Sequence, residues 1–194
     1  MPISQIVTNS IANDAVVTAD IANGAVTSAK MASGAARSNF GAGAVLQVVS
    51  TPKTNIFTTT STSFVDVTGM SLSITPSSAS SRIMIICGLS LGATAGVMGA
   101  FPRLMRDSTP IFIPDADGSG IQAAAMFEVG SACTFPVAIN FLDSPNTTSA
   151  ITYKIQLRVN TPGQTVCVNR QAAATIDPGW SRSVSSITAM EIAS

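Results

Sequence analysis

The sequence predicts a mainly β protein in which an antiparallel, jelly-roll-like β-sandwich follows a short N-terminal stalk built from repeats. Two observations support this prediction. Residues 44–194 hold about ten short segments of alternating apolar and polar residues, separated by turns of Pro, Gly, Asn and Ser, which is the pattern of a sandwich. Residues 11–40 instead repeat with a period of ten. We therefore divide the chain into residues 1–43, an N-terminal segment with the stalk repeats, and residues 44–194, a β domain.

The repeat consists of three consecutive blocks, IANDAVVTAD, IANGAVTSAK and MASGAARSNF, which begin at Ile11, Ile21 and Met31. A continuous helix does not suit this period, because ten residues turn through about 1000° and displace the apolar stripe by about 80° at each repeat. A continuous strand fails as well, because Ile21 and Val26 would face opposite sides. We expect a composite unit, a short helical turn followed by an extended stretch.

One copy of this unit carries too little apolar surface to fold alone, since helices this short are unstable in isolation. The expected solution is parallel association of several chains around a common axis. The residues expected to point inward are Ile11, Val16, Ile21, Val26 and Met31. The alternative is a flexible leader rich in Ala, Ser and Gly.

The β domain is predicted to form a strand in each alternating segment. These segments are Ala44–Val49, Phe57–Val67, Met70–Thr75, Arg82–Leu91, Arg103–Met105, Ile111–Ile113, Met126–Val129, Val137–Leu142, Ile151–Asn160, Thr165–Asn169 and Ser183–Ile192. The glycine-rich stretch Gly92–Pro102 is predicted to be a loop.

One segment also fits a transmembrane helix. No charge lies between Arg82 and Arg103, and the spacing of Gly88, Gly92 and Gly96 is that of small residues at helix contacts in membranes. The alternation that begins at Cys87 favours a strand, and we expect no membrane insertion.

Charge and residue types exclude several functions. The chain has 10 basic and 10 acidic residues and a net charge of zero, so we expect no nucleic-acid partner, which would require clustered Lys and Arg. It has no histidine, the commonest general base and metal ligand. Its 3 cysteines, Cys87, Cys133 and Cys167, are too widely spaced to indicate a disulfide framework or a zinc site. We expect no enzymatic activity, no metal and no cofactor.

Two features of the sequence are candidate sites of chemistry. The segment from Asp115 to Gly120 begins like a calcium loop, but Met126 stands where the loop needs a bidentate glutamate. The only glutamates are Glu128 and Glu191, and Glu191 alternates with apolar neighbours, which predicts a solvent-facing position on a strand. Neither feature indicates a catalytic site.

The repeat IANGAVTSAKMASGAA resembles the decapeptide stalk repeats near the start of bacteriophage tail-fibre and related virion proteins. The segment GAVLQVVSTPKTNIFTTTSTSFVDVTGMSLSITPSSASSRIMI resembles the opening of their C-terminal domain, and INFLDSPNTTSAITYKIQLRV and SSITAMEIA resemble its later strands. The similarity covers most of the chain and weakens between about Gly92 and Ala124. It implies a homotrimeric fibre with a C-terminal β knob, and it carries over no catalytic residue.

This resemblance leads us to expect a non-enzymatic structural protein of a bacteriophage virion, a short homotrimeric tail fibre that attaches to the host cell surface. Other virion proteins would bind its N-terminus, and a host glycan or protein would bind loops of the knob. The candidate loops are Gly92–Pro102, Pro114–Gly120 and Gln171–Trp180, with Asp115, Asp117 and Trp180 as candidate receptor-facing residues. The alternative for Trp180, which we favour, is that it anchors the edge of the sandwich.

Two alternative functions remain, one with a different location on the virion and one with an enzymatic activity. A head fibre or cement protein would decorate the capsid, and a depolymerase would cut a surface polysaccharide.

The repeat requires partner chains, and the resemblance to virion fibre proteins implies that the full chain is a trimer in solution. Light scattering should give a mass of three times the chain mass of 19.8 kDa. A monomeric mass would contradict the association that the stalk requires.

Overall fold

Two antiparallel β-sheets make up the part of the chain that the computed structural model describes, which is residues 41–93, 97–129, 133–171 and 182–194. The strands are β1 (Val45–Lys53), β2 (Phe57–Thr59), β3 (Val65–Ile74), β4 (Arg82–Ala93), β5 (Val97–Arg106), β6 (Thr109–Ile111), β7 (Phe127–Val129), β8 (Cys133–Asp143), β9 (Ile151–Val159), β10 (Val166–Val168) and β11 (Ser185–Ile192).

The strand order is that of a jelly roll. In one sheet, called the β4 sheet, β11 lies between β1 and β4, and β8 pairs with the other edge of β4. In the other, called the β9 sheet, β9 lies between β3 and β5, and β7 and β6 pair with β5. The orders β1-β11-β4-β8 and β3-β9-β5-β7 form the eight-stranded jelly-roll arrangement, which β10 and β2 extend. The predicted antiparallel, jelly-roll-like sandwich is therefore confirmed.

The core lies between the sheets and is filled by alternate residues of the strands. In β4 the buried residues are Ile83, Ile85, Cys87, Leu89 and Leu91, and in β9 they are Ile151, Tyr153, Ile155, Leu157 and Val159. Full burial of one aliphatic side chain of this size stabilises the fold by about 1.5–3 kcal/mol. Burial also raises the pKa of the Cys87 thiol to about 12, so this thiol stays protonated and unreactive.

The predicted segment Phe57–Val67 is two strands rather than one. β2 ends at Thr59, whose hydroxyl accepts a hydrogen bond from the Ser61 main chain at 3.0 Å, and this local bond turns the chain. β3 then runs without interruption from Val65 past Gly69 to Ile74. Gly69 has a φ of +82° and lies where the register with β9 shifts, so it bends the strand without ending it.

The predicted loop Gly92–Pro102 is wrong for most of its length. β4 extends to Ala93 and β5 begins at Val97, and Phe101 and Pro102 are buried. Gly92 belongs to the strand, where an added Cβ would lie 2.0 Å from the carbonyl oxygen of Arg170. Close approach of two backbones thus explains a glycine that sequence analysis took as a loop signal.

Among the described residues, no helix is long and apolar enough to cross a membrane.

One largely buried ion pair joins the two sheets. Asp143 of β8 accepts hydrogen bonds from Arg106 Nη1, at 2.9 Å to each carboxylate oxygen, and from the Tyr153 hydroxyl at 2.7 Å. Arg106 and Tyr153 belong to the β9 sheet. Burial, together with the hydrogen bond to Asp143, raises the pKa of Tyr153, which keeps its hydroxyl a donor. The cluster therefore fixes the sheets relative to one another at this position.

A second buried polar cluster surrounds Asn169, which follows β10 with a left-handed φ of +67°. Its Nδ2 donates to the main-chain oxygens of Lys53 at 2.7 Å and Asn55 at 3.0 Å, and its Oδ1 accepts from the Ser185 hydroxyl at 2.6 Å. Asparagine tolerates this backbone region better than most residues. The satisfied amide connects the chain after β10 with the end of β1 and the start of β11.

The two ion pairs of the described residues provide a matched test of burial. Arg106–Asp143 and Lys154–Asp66 have similar lengths, 2.9 and 2.8 Å, but the Asp143 side chain is 7% exposed and that of Asp66 is 53% exposed. Asp143→Ala should lower the free energy of unfolding by about 3 kcal/mol, because it leaves Arg106 and the Tyr153 hydroxyl without their acceptor. Asp66→Ala should lower it by less than about 1 kcal/mol. Urea denaturation at one protein concentration measures both, and equal losses would contradict the role of the Asp143 cluster.

Candidate functional site

The candidate receptor-facing aspartates lie on an exposed loop between β6 and β7. Asp115 and Asp117 are exposed, and neither carboxylate has a hydrogen-bond or ion-pair partner within the described ranges. Gly118 follows with a φ of +54°, a conformation that favours glycine in turns. Trp180 lies outside the described residues, as do the stalk residues Ile11, Val16, Ile21, Val26 and Met31. Their assignments stay predictions.

An open cavity of about 470 Å³ lies beside this loop. Its lining includes Phe101, Ile121, Met126 and Asn160. Such a lining can contact an apolar or sugar surface and offers few polar groups to orient it. In the part of the chain that the structure describes, no group of three or more His, Cys, Asp or Glu residues is placed to hold a metal ion.

The two glutamates lie in different sheets and different environments. Glu128 is exposed on β7, whereas Glu191 of β11 is fully buried, contrary to the predicted solvent-facing position. Oε1 of Glu191 accepts hydrogen bonds from the Ser77 main chain at 2.7 Å and the Ser77 hydroxyl at 2.6 Å, and Oε2 accepts from Gln47 at 2.6 Å. Burial favours the neutral acid, but these hydrogen bonds and one from Ser81 outweigh it, so the pKa of Glu191 lies below its ordinary value. Glu191 is a structural anion that ties the turn after β3 to β11.

The outer face of the β9 sheet carries connected polar and charged side chains. Asp66 accepts hydrogen bonds from Lys154 at 2.8 Å and Gln156 at 2.7 Å, and Gln156 accepts one from Arg103. The hydrogen bond from Lys154, followed by that from Gln156, lowers the pKa of Asp66. This face has the polar character expected of a sheet surface in contact with water.

Two arginines extend this charged face toward the cavity. The Arg103 guanidinium lies 3.7 Å above the centre of the Phe64 ring, and that of Arg158 lies 5.8 Å from Phe64 and 5.9 Å from Phe101. Stacking on an aromatic face restrains a guanidinium and preserves its charge. The arrangement offers positively charged donors to acidic groups of a partner.

The outer face of the β4 sheet is different, because its central part carries no charged residue. Three rows of side chains cross β1, β11, β4 and β8 in register. The rows are Val48–Met190–Met84–Leu142, Ser50–Thr188–Ile86–Asn140 and Pro52–Ser186–Gly88–Ala138. We call these three rows the neutral face. Val48 is 55% exposed and Ile86 is 40% exposed, so the neutral face presents large apolar side chains to solvent among small and polar ones.

Sequence analysis did not identify the neutral face, although its signal is present in the chain. The alternate positions of β4 after Arg82, and those of β8 and β11 that pair with them, hold Met, Ile, Gly, Ser, Thr, Asn, Ala, Leu and Pro. The absence of charge at these positions becomes meaningful once the register brings them to one face.

No family model and no curated protein sequence matches the chain. Solved structures of infectious bursal disease virus are similar to it at low level. The Gx strain structure has a TM-score of 0.42 at 13% identity and aligns with 76% of this chain and 37% of its own. The Gt strain structure has a TM-score of 0.42 at 11% identity, aligning with 76% and 42%. The VP2 subviral particle has a TM-score of 0.41 at 12% identity, aligning with 76% and 41%.

The chain thus spans about two fifths of the length of these virus proteins. At such TM-scores and identities no function is carried over from them to this chain.

The environment of Glu191 predicts a specific pH dependence. Because the folded pKa lies below the unfolded value of about 4.3, ionised Glu191 stabilises the fold above that pH, and its contribution is lost as the pH falls through the folded pKa. Glu191→Gln should therefore lower the free energy of unfolding by about 1–3 kcal/mol at pH 7, and the difference from the unsubstituted chain should shrink below about pH 4. Urea denaturation of both chains between these pH values measures this difference in the free energy of unfolding.

Glu128→Gln is the matched control, and its effect should stay within about 0.5 kcal/mol because Glu128 is exposed. A deficit of Glu191→Gln that stays constant down to pH 3 would contradict the assignment of the titration to Glu191.

Proposed function

We propose that the protein is a non-enzymatic structural component of a bacteriophage virion, a short homotrimeric tail fibre that attaches to the host cell surface. One observation carries the proposal. A jelly-roll domain follows, in the same chain, ten-residue repeats that resemble the stalk repeats of virion fibres. A repeat unit that cannot fold alone requires partner chains, and a compact β knob is the expected partner of such a stalk.

The surfaces of the β domain support a division of roles. The neutral face suits assembly, because it lacks charges that would need water. The charged face of the β9 sheet and the exposed loop of Asp115 and Asp117 suit contact with a host molecule, since loops on a rigid scaffold commonly carry recognition. In this proposal residues 1–43 bind other virion proteins.

Location on the virion tests the proposal directly. Gold-labelled antibodies against the purified full chain should mark the tail of virions of the encoding phage. Labelling of the head would contradict the tail fibre and support a capsid-decorating fibre or cement protein. Unlabelled virions would contradict both.

Competition for host cells tests the attachment role. Purified full chain should reduce adsorption of virions, and an Asp115→Asn/Asp117→Asn variant should compete several-fold less well. Glu128→Gln removes another exposed carboxylate and should compete like the unsubstituted chain. Full competition by the double variant would contradict the loop assignment, and breakdown of host polysaccharide by the purified chain would contradict the non-enzymatic role.

A further inference from the structure

We infer that the neutral face of the β4 sheet packs against other copies of this chain and lies toward the axis of the homo-oligomer. The inference rests on the proposed trimer and adds which surface of the β domain closes it. In this arrangement the β4 sheet faces the axis and the β9 sheet faces outward.

The distribution of charge determines which sheet can face the axis. Around a rotation axis every side chain close to the axis lies near its own copies, so a charge there is repeated at short range. Two like charges about 4 Å apart repel by about 1 kcal/mol in water and by about 4 kcal/mol near a protein surface. The outer face of the β9 sheet, with Arg103, Lys154 and Arg158 beside Asp66, would incur this repulsion, whereas the three rows of the neutral face would not.

A groove on the neutral face provides space for an approaching chain. Its volume is about 470 Å³, and its lining includes Gly88, Ser90, Pro136, Ala138, Val184 and Ser186. Val184, at 67% exposure, is a large apolar side chain presented to solvent at this groove. A partner surface that enters the groove would cover it.

Gly88 at this groove has no role that the described residues explain. Among those residues no atom lies within 4 Å of a Cβ built at Gly88, and its φ is outside the left-handed region. Gly92, four residues further along β4, is by contrast required by the close carbonyl oxygen of Arg170. Glycine within a strand often marks close approach of another backbone, and no described residue makes that approach at Gly88, so the position is open to a second copy of the chain.

The neutral face has about half the area that one partner contributes to a standard subunit contact. Four strands spaced about 4.8 Å apart and three rows of residues span about 20 Å by 20 Å, or roughly 400 Å². A standard interface uses about 800 Å² on each partner. Flanking apolar residues such as Val45, which is 51% exposed, and Val184 would supply part of the remainder.

Thiol labelling of the full chain tests the inference. The thiol of a Val48→Cys variant should react with a maleimide at least tenfold more slowly than that of Thr68→Cys, an exposed position on β3 in the other sheet. The unsubstituted chain supplies the background of its 3 native cysteines. In denaturant the two introduced thiols should react alike.

A second variant opens the contact without disturbing the fold. Gly88→Arg has space for its Cβ, so circular dichroism should be unchanged. The arginine should lower the oligomeric mass or, where the stalk still holds the chains together, raise the labelling rate of Val48→Cys to that of Thr68→Cys. Thr68→Arg is the matched control and should change neither property.

The outcomes separate this inference from the proposed function. Equal labelling of Val48→Cys and Thr68→Cys in a chain with trimeric mass would overturn the neutral face as the contact and leave the trimer standing. Unchanged mass and unchanged labelling of Val48→Cys in the presence of Gly88→Arg would also overturn it. A monomeric mass of the unsubstituted chain would contradict the proposed trimer itself.

Discussion

The register of β4 is the constraint on which the rest of the β domain depends. β4 pairs with β11 and β10 along one edge and with β8 along the other. Its alternate residues fill the core on one side and form the middle of the neutral face on the other. A slip by one residue would exchange these two sets. The close approach of Arg170 to Gly92 opposes such a slip, because a residue with a Cβ would then meet that carbonyl oxygen.

The few buried polar groups are placed where they hold this register. Asp143 lies opposite Ile83 near the start of β4 and binds Arg106 and Tyr153 of the other sheet. Near the far end, the main chain of Asn169 donates to the oxygen of Ser90 at 2.9 Å. Breaking either cluster would leave buried groups without partners, so each cluster favours one alignment of the strands. A chain with 10% charged residues can thus be specific, because the buried groups of the Asp143 and Asn169 clusters are hydrogen-bonded to one another and to the main chain.

Alternation along the sequence predicts most strands because one face of each strand is buried. Met70–Thr75 and Ile151–Asn160 were predicted in this way and lie in β3 and β9.

The misplacement of Glu191 and the failure to identify the neutral face have one common cause. Sequence analysis assumed that the apolar neighbours Met190 and Ile192 point into the core, but they lie on the outer side of β11, and Glu191 points inward to Ser77. Local pattern cannot reveal an apolar outer face, since only the pairing of strands from distant parts of the chain defines which face is outer. The exposure of Asp115 and Asp117 was predictable from their turn-rich segment, which needs no such long-range information.

The sandwich architecture explains how assembly and recognition can be kept apart in a small domain. Both inner faces are committed to the core, and the two outer faces differ in charge, one with the three uncharged rows of the neutral face and the other with Asp66, Arg103, Lys154 and Arg158. In the proposed oligomer, contact between identical chains favours the neutral face, because this face brings no like charges together. The charged face is then left to solvent or to a different molecule. The loop that carries Asp115 and Asp117 contributes little to the core, because its central residues are exposed. Substitutions there can alter the exposed surface without disturbing the register of β4, on which both the core and the neutral face depend.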